Sequence, residues 1–135
     1  MIIAVGRDSM IGFWIFMLIM VLLIPGTMLG FGILFTKKAP NNINFVFGYR
    51  TARSMKNKST WNFAHKYIGR LWKIIALIIL PLSVIAMLFV LGSDVDTVGT
   101  VGGIIVMIQL IPMAAAIFPT ERALKKNFDE FGRKR

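Results

Sequence analysis

The sequence predicts an all-α, polytopic membrane protein: three transmembrane helices, a basic loop between the first two, and an amphipathic C-terminal tail. Three observations carry that prediction. The 135 residues are 56% hydrophobic and only 16% charged, with a mean hydropathy of +0.71. Three uncharged runs are each long enough to cross a hydrocarbon core of about 30 Å. The basic residues fall almost entirely on one side of those runs. A small aqueous domain buries too little of its surface to hide so much apolar area, which excludes a soluble globular enzyme. Disorder is excluded by the same hydrophobicity. With no cysteine, disulfides, thiolate metal sites and Cys nucleophiles are absent.

The whole chain, 1–135, reads as one membrane domain. Its first span covers about 10–35, from Met10 to Phe35, and holds Pro25-Gly26, which predict a kink or tilt. The apolar stretch is too long for a signal peptide. The second span, about 74–93, contains Pro81, and the third, about 97–120, contains Pro112 and Pro119. Only Ser93-Asp94-Val95-Asp96 separates them, so they form a tight antiparallel hairpin.

Charge then predicts orientation. The loop 36–73 carries Lys37, Lys38, Arg50, Arg53, Lys56, Lys58, Lys66, Arg70 and Lys73 with no acid, and the tail 121–135 adds six more bases. Arg7 alone lies opposite, a bias of fifteen to one. Under the positive-inside rule this is a multi-pass cell-membrane protein with its N-terminus outside and its C-terminus cytoplasmic. Anionic inner-leaflet lipids are the expected partners of those charges. The tail reads as a helix lying on that leaflet, with Leu124, Phe128 and Phe131 as its apolar stripe. Nucleic acid is the lesser reading of the tail's charge. Gly26-x-x-x-Gly30 and Gly99-x-x-x-Gly103 have the spacing that lets helices approach closely, weak evidence for an interface or a homo-oligomer.

The loop holds the specific information. Lys37 to Asn42 read as a turn, followed by the aromatic stretch Asn44-Phe45-Val46-Phe47-Gly48-Tyr49-Arg50-Thr51. Ser59 or Thr60 is the expected cap of a helix running into the second span. Trp61, Ala64, His65, Ile68 and Trp72 share one side of it, a stripe suited to the membrane interface. Tyr49 and Trp61 are expected to anchor an ordered loop there. His65 is the only histidine and has no cysteine or loop carboxylate beside it, so it reads as a hydrogen-bonding residue. No catalytic set, metal site or cofactor is expected. No acid lies within a span, so the mark of a proton or ion pathway is missing.

Asn44-x-x-x-Gly48-Tyr49-Arg50-Thr51-x-x-Ser54, then Trp61-x-x-Ala64 and Gly69-Arg70, resembles the signature loop of the SdpI family of small bacterial membrane proteins. His65 departs from the Asn frequent in relatives. The resemblance implies a non-enzymatic protein of toxin immunity and signal transduction, giving resistance to a secreted antimicrobial peptide. It also implies two partners, that peptide toxin and a cytoplasmic transcriptional repressor. The residues it marks for binding are Asn44, Gly48, Tyr49, Arg50, Thr51, Ser54, Trp61, Ala64, His65 and Gly69. Arg50 lies inside the motif and is a forked donor for phosphate or carboxylate, whereas Arg53 resembles the other topological charges. A small transporter or channel component is the alternative function, and a lipid-headgroup enzyme using Arg50 and His65 a third.

Overall fold

The computed structural model describes residues 7–44 and 47–135. Phe45 and Val46 of the aromatic stretch, and the first six residues, lie outside the described residues. Four helices follow in order: α1 (Arg7–Lys37), α2 (Lys58–Leu88), α3 (Val95–Ala115) and α4 (Ile117–Asn127). Three helical segments are long and apolar enough to cross a membrane: Asp8–Lys37, Lys58–Leu88 and Val95–Asn127, the last combining α3 with α4. Among the described residues the only β pairing is an isolated bridge between Phe128 and Lys134.

Local chemistry sets the boundaries. Asp8 in the first turn of α1 and Lys37 in the last complement the helix dipole. The cap of α2 is Asn57, two residues before the expected Ser59 and three before Thr60. Its side chain accepts from the Thr60 amide at 2.9 Å while Thr60 Oγ1 accepts from the Asn57 amide at 3.0 Å, a reciprocal box. Thr60 thus shares in the cap without being it. At the far end α2 stops at Leu88, five residues short of the expected Ser93, and turns through Gly92 at φ +87°. Asp94 caps α3, accepting from the Thr97 amide at 2.8 Å. The Thr97 hydroxyl and amide hold that carboxyl below its ordinary range. The break between α3 and α4 at Ala116 follows from Pro119, which has no N–H to offer the Ala115 carbonyl one turn back.

Large apolar side chains cover the outside of the spans: Leu82 is 59% exposed and Ile111 67%. In water such a surface would be untenable; facing lipid, it is the expected one. At the end away from the basic loop, Val21, Met87, Val90 and Val98 form a core joining α1, α2 and α3. There Trp14 Nε1 donates to the Met87 carbonyl at 2.8 Å, tying α1 to the last turn of α2. Deeper in the bundle, Pro25 leaves the Val21 carbonyl without its usual intrahelical donor. The buried Gln109 of α3 supplies the missing bond, donating from Nε2 to Val21 O at 3.0 Å and to Ser83 Oγ of α2 at 2.8 Å. One amide thereby joins all three spans.

α1 and α2 cross closely at Gly32 and Gly69. A Cβ on Gly69 would lie 2.9 Å from the Gly32 carbonyl oxygen, and one on Gly32 would lie 2.8 Å from that of Gly69. Only hydrogens fit between these backbones. The expected small-residue pairs sit elsewhere: a Cβ on Gly26, Gly30 or Gly103 meets nothing within 4 Å, and one on Gly99 meets only the Phe13 ring at 3.6 Å.

The tail corrects the sequence reading. Leu124 and Phe128 do not form a stripe against lipid; both are buried, in a cluster with Ala64 against Tyr49 and Phe63. Phe131 alone of the three is exposed. Beyond Asn127 the chain folds back over the start of α2, where Asn57 Nδ2 donates to the Gly132 carbonyl at 2.7 Å.

Candidate functional site

The signature residues gather at the basic end of the bundle. The loop descends from α1 through Pro40, whose carbonyl accepts from Trp61 Nε1 at 2.9 Å. Lys58 donates to the Asn41 carbonyl. Asn44 closes the next turn, its Oδ1 accepting from the Phe47 amide at 2.6 Å. Gly48 then takes φ +111°, a region that a side chain disfavours. It sits so close to α2 that a Cβ would lie 2.6 Å from His65 Nε2 and 3.2 Å from the Trp61 ring.

That approach delivers the Tyr49 amide to His65 Nε2 at 2.8 Å. His65 Nδ1 meets the Trp61 carbonyl at 2.8 Å. Since Nε2 accepts, the proton is assigned to Nδ1, and both ring nitrogens of this fully buried neutral imidazole are committed. Its ring also stands edge-on to Phe35, centroids 4.8 Å apart, and lies 4.3 Å from Trp61. The expected role of His65 as a hydrogen-bonding residue therefore has a definite form: it pins the loop backbone.

Thr51 and Ser54 make the next turn. Ser54 Oγ accepts from the Thr51 amide at 2.9 Å and lies 2.9 Å from the Tyr49 carbonyl, to which it donates. Thr60 Oγ1 stands 3.0 Å from the Ser54 carbonyl, linking this turn to the cap of α2. Both Ser54 and Thr60 are buried.

A residue the sequence reading missed completes the site. Glu121, in the first half of α4, places Oε2 2.5 Å from the Tyr49 hydroxyl and 2.7 Å from that of Thr51. These partners are 72 and 70 residues away in the chain. Hydrogen bonds to a charged acceptor are the stronger kind, each contributing about 1.5–3 kcal/mol when desolvated. Burial, then the bond to Glu121 and its negative charge, raise the Tyr49 phenol well above its ordinary range, so it remains a donor. Arg53 is a weaker associate, its Nε 3.8 Å from Oε1 with both side chains partly exposed.

Trp61, Ala64, His65 and Ile68 do share one side of α2, but that side faces the protein interior, not the membrane interface. The loop packs on the stripe and covers it. The hydroxyl of Tyr49 likewise turns to Glu121, while its ring packs beside Ile68 and Ala64. Of the marked residues, Gly69 lies apart, at the crossing with Gly32, and Arg50 is exposed. Among the described residues no three His, Asp or Glu side chains gather as a metal would require.

Beside this knot a groove of about 490 Å3 opens outward. Phe31 and Phe35 of α1, Trp72 of α2 and Met113 of α3 form its apolar walls, and loop residues Gly48 to Thr51 close one end.

Fold and site define a three-span helical membrane protein whose basic loop is folded onto the bundle by its own motif residues. The SdpI/YfhL protein family matches residues 41–120, from the loop into the start of α4. An uncharacterized protein of Bacillus subtilis (strain 168), YfhL, is 36% identical over 104 residues, 74% of this chain and 81% of that protein. The chain belongs to the SdpI/YfhL family. No solved structure matches it.

Proposed function

We propose that this chain is a non-enzymatic membrane protein that protects its cell against a secreted, membrane-active peptide and passes the peptide's presence to its basic loop. The peptide engages the bundle from outside or within the bilayer. The loop, on the cytoplasmic side, then changes its contacts with a partner such as a transcriptional repressor. The observation that carries the reading is Glu121: one carboxylate at the end of the third span receives both Tyr49 and Thr51 of the loop. A shift of that span moves the acceptor and with it the loop. Family membership supports the same reading.

The test expresses wild type and variants in peptide-sensitive cells, with membrane abundance measured for each. Wild type protects; at equal abundance Arg50→Ala and Glu121→Gln lose protection, while Arg53→Ala keeps it, because its 3.8 Å pair is long and exposed. Equal survival of Arg50→Ala and wild type would refute the role of Arg50. A wild type that protects against no peptide of a broad panel would refute immunity.

Orientation has its own check. The chain has no cysteine, so a single one at the exposed Lys56 reports cleanly. It is expected to resist an impermeant maleimide in intact cells and to react after permeabilisation; labelling in intact cells would reverse the orientation.

A further inference from the structure

The groove beside the signature knot has a composition that the knot itself does not explain. Its walls are aromatic and aliphatic, yet its loop end carries Arg50, an exposed, permanently charged fork. Its depth in the bundle is also defined. Phe31 and Phe35 occupy the last two turns of α1 before Lys37, and Trp72 directly precedes Lys73. The α3–α4 break at Ala116 closes the same level. The apolar part therefore lies where a span meets its basic flank, at the boundary between hydrocarbon and headgroups. Its volume of about 490 Å3 falls within the roughly 300–1,000 Å3 range of ligand sites.

An occupant must be apolar along its length and anionic at one end, and must reach the groove from the bilayer. We infer that the groove holds one acyl chain of an anionic phospholipid, with the lipid phosphate on Arg50. The apolar walls exclude a soluble phosphate, which would gain the guanidinium but nothing from Phe31, Phe35 or Met113. A zwitterionic lipid fits the walls equally well, but its own ammonium offsets the attraction at Arg50. Headgroup charge is therefore the selective element, and the chain supplies the remainder.

Trp72 lines the groove, whereas Trp61 is fully buried and Trp14 stands at the opposite end of the bundle. Brominated lipids quench tryptophan on contact, so the full chain in phosphatidylcholine nanodiscs reports its own occupancy. Brominated phosphatidylglycerol, added as a minor component, is expected to quench with about fivefold higher apparent affinity than brominated phosphatidylcholine, the effect of one interfacial basic residue. Arg50→Ala lowers the phosphatidylglycerol value to that of phosphatidylcholine and leaves the latter unchanged. Ala114→Phe, a substitution at an exposed lining residue, weakens quenching by both. Trp72→Phe removes the selective component. Equal quenching by the two lipids in wild type overturns the inference, as does selectivity that survives either Arg50→Ala or Trp72→Phe. Displacement of the quencher by a membrane-active peptide but not by excess unlabelled phosphatidylglycerol would assign the groove to peptide and overturn the lipid.

Discussion

Gly69→Leu is expected to separate the first two helices and to destabilise the protein by about 3 kcal/mol or more, the upper end of overpacking. The obstruction is backbone, not a movable side chain: the first carbon of the new residue would sit 2.9 Å from the Gly32 carbonyl oxygen and 3.1 Å from the Thr36 amide nitrogen. Relief requires α1 and α2 to move apart along their length, which also opens the packing of Phe35 on Ile68. Gly32→Leu should act alike, since its added carbon meets the Gly69 carbonyl at 2.8 Å and the Lys73 amide at 2.9 Å. Gly30→Leu is the control. Two residues away on the same helix, its added carbon meets nothing within 4 Å and faces outward, so the change is neutral or mildly stabilising. Unfolding of purified protein in mixed micelles, titrated with a denaturing detergent, ranks the three. A Gly69→Leu protein as stable as Gly30→Leu would show that the helices do not cross there.

That pair of glycines also shows where the sequence was legible and where it was not. Three spans and their basic flanks follow from local properties, run length and charge. α1 lies within three residues of the first run at each end, whereas α2 begins at Lys58, well before the expected Ile74, because its capped start lies in the basic segment. Gly69 was marked by its place in the motif, but Gly32 lies inside an apolar run containing Gly26 and Gly30 at a familiar spacing. Spacing along one helix cannot tell which glycine meets a neighbour; that depends on the rotation of both helices. The stripe of Trp61, Ala64 and His65 poses the same problem. Its periodicity is real, yet an aromatic stripe near a membrane boundary has the same pattern whether lipid or a folded loop covers it. Here the loop covers it, because Gly48 brings the backbone into contact with the His65 and Trp61 rings.

Glu121 was illegible for a different reason. As the first acid after a span it resembles a surface residue, and its partners Tyr49 and Thr51 are separated from it by two membrane crossings. The available signal was electrostatic: a carboxylate at the very start of a predominantly basic flank, next to the end of an apolar run, needs a reason. Gln109 carried a comparable signal, as a strongly polar side chain in an apolar span. Charge alone does not single it out, because it is a neutral amide that answers the carbonyl freed by Pro25. The Leu124 and Phe128 stripe faces protein because α4 packs on α2 at Ala64, a contact between distant elements that periodicity along the tail does not report. The turn beyond it, with Asp129 at its start and Gly132 at φ +82°, does carry a local sign.

Gly48→Ala is expected to destabilise the loop by about 2–5 kcal/mol and to free it from α2. Two costs add. At φ +111° a side chain is disfavoured, by about 1–2 kcal/mol. The methyl would also stand 2.6 Å from His65 Nε2, the atom that accepts the Tyr49 amide, so the hydrogen bond cannot survive at 2.8 Å. Its loss leaves a buried acceptor unpaired, a further cost of about 1–3 kcal/mol. The two contributions can be separated with His65→Ala, which removes the ring that the methyl strikes but leaves the backbone strain. If the clash is real, Gly48→Ala combined with His65→Ala is less damaging than the sum of the single changes, by about 1–2 kcal/mol. If strain alone matters, the effects add. Trp61 gives a local readout, since it lies 3.2 Å from the same added carbon and is buried by the loop. Its emission should shift red, and amides from Phe47 to Ser54 should lose protection from hydrogen exchange, while the spans stay protected. Additive effects with unchanged Trp61 emission would mean that Gly48 serves only the bend of the loop, and that the contact with His65 does not hold the loop in place.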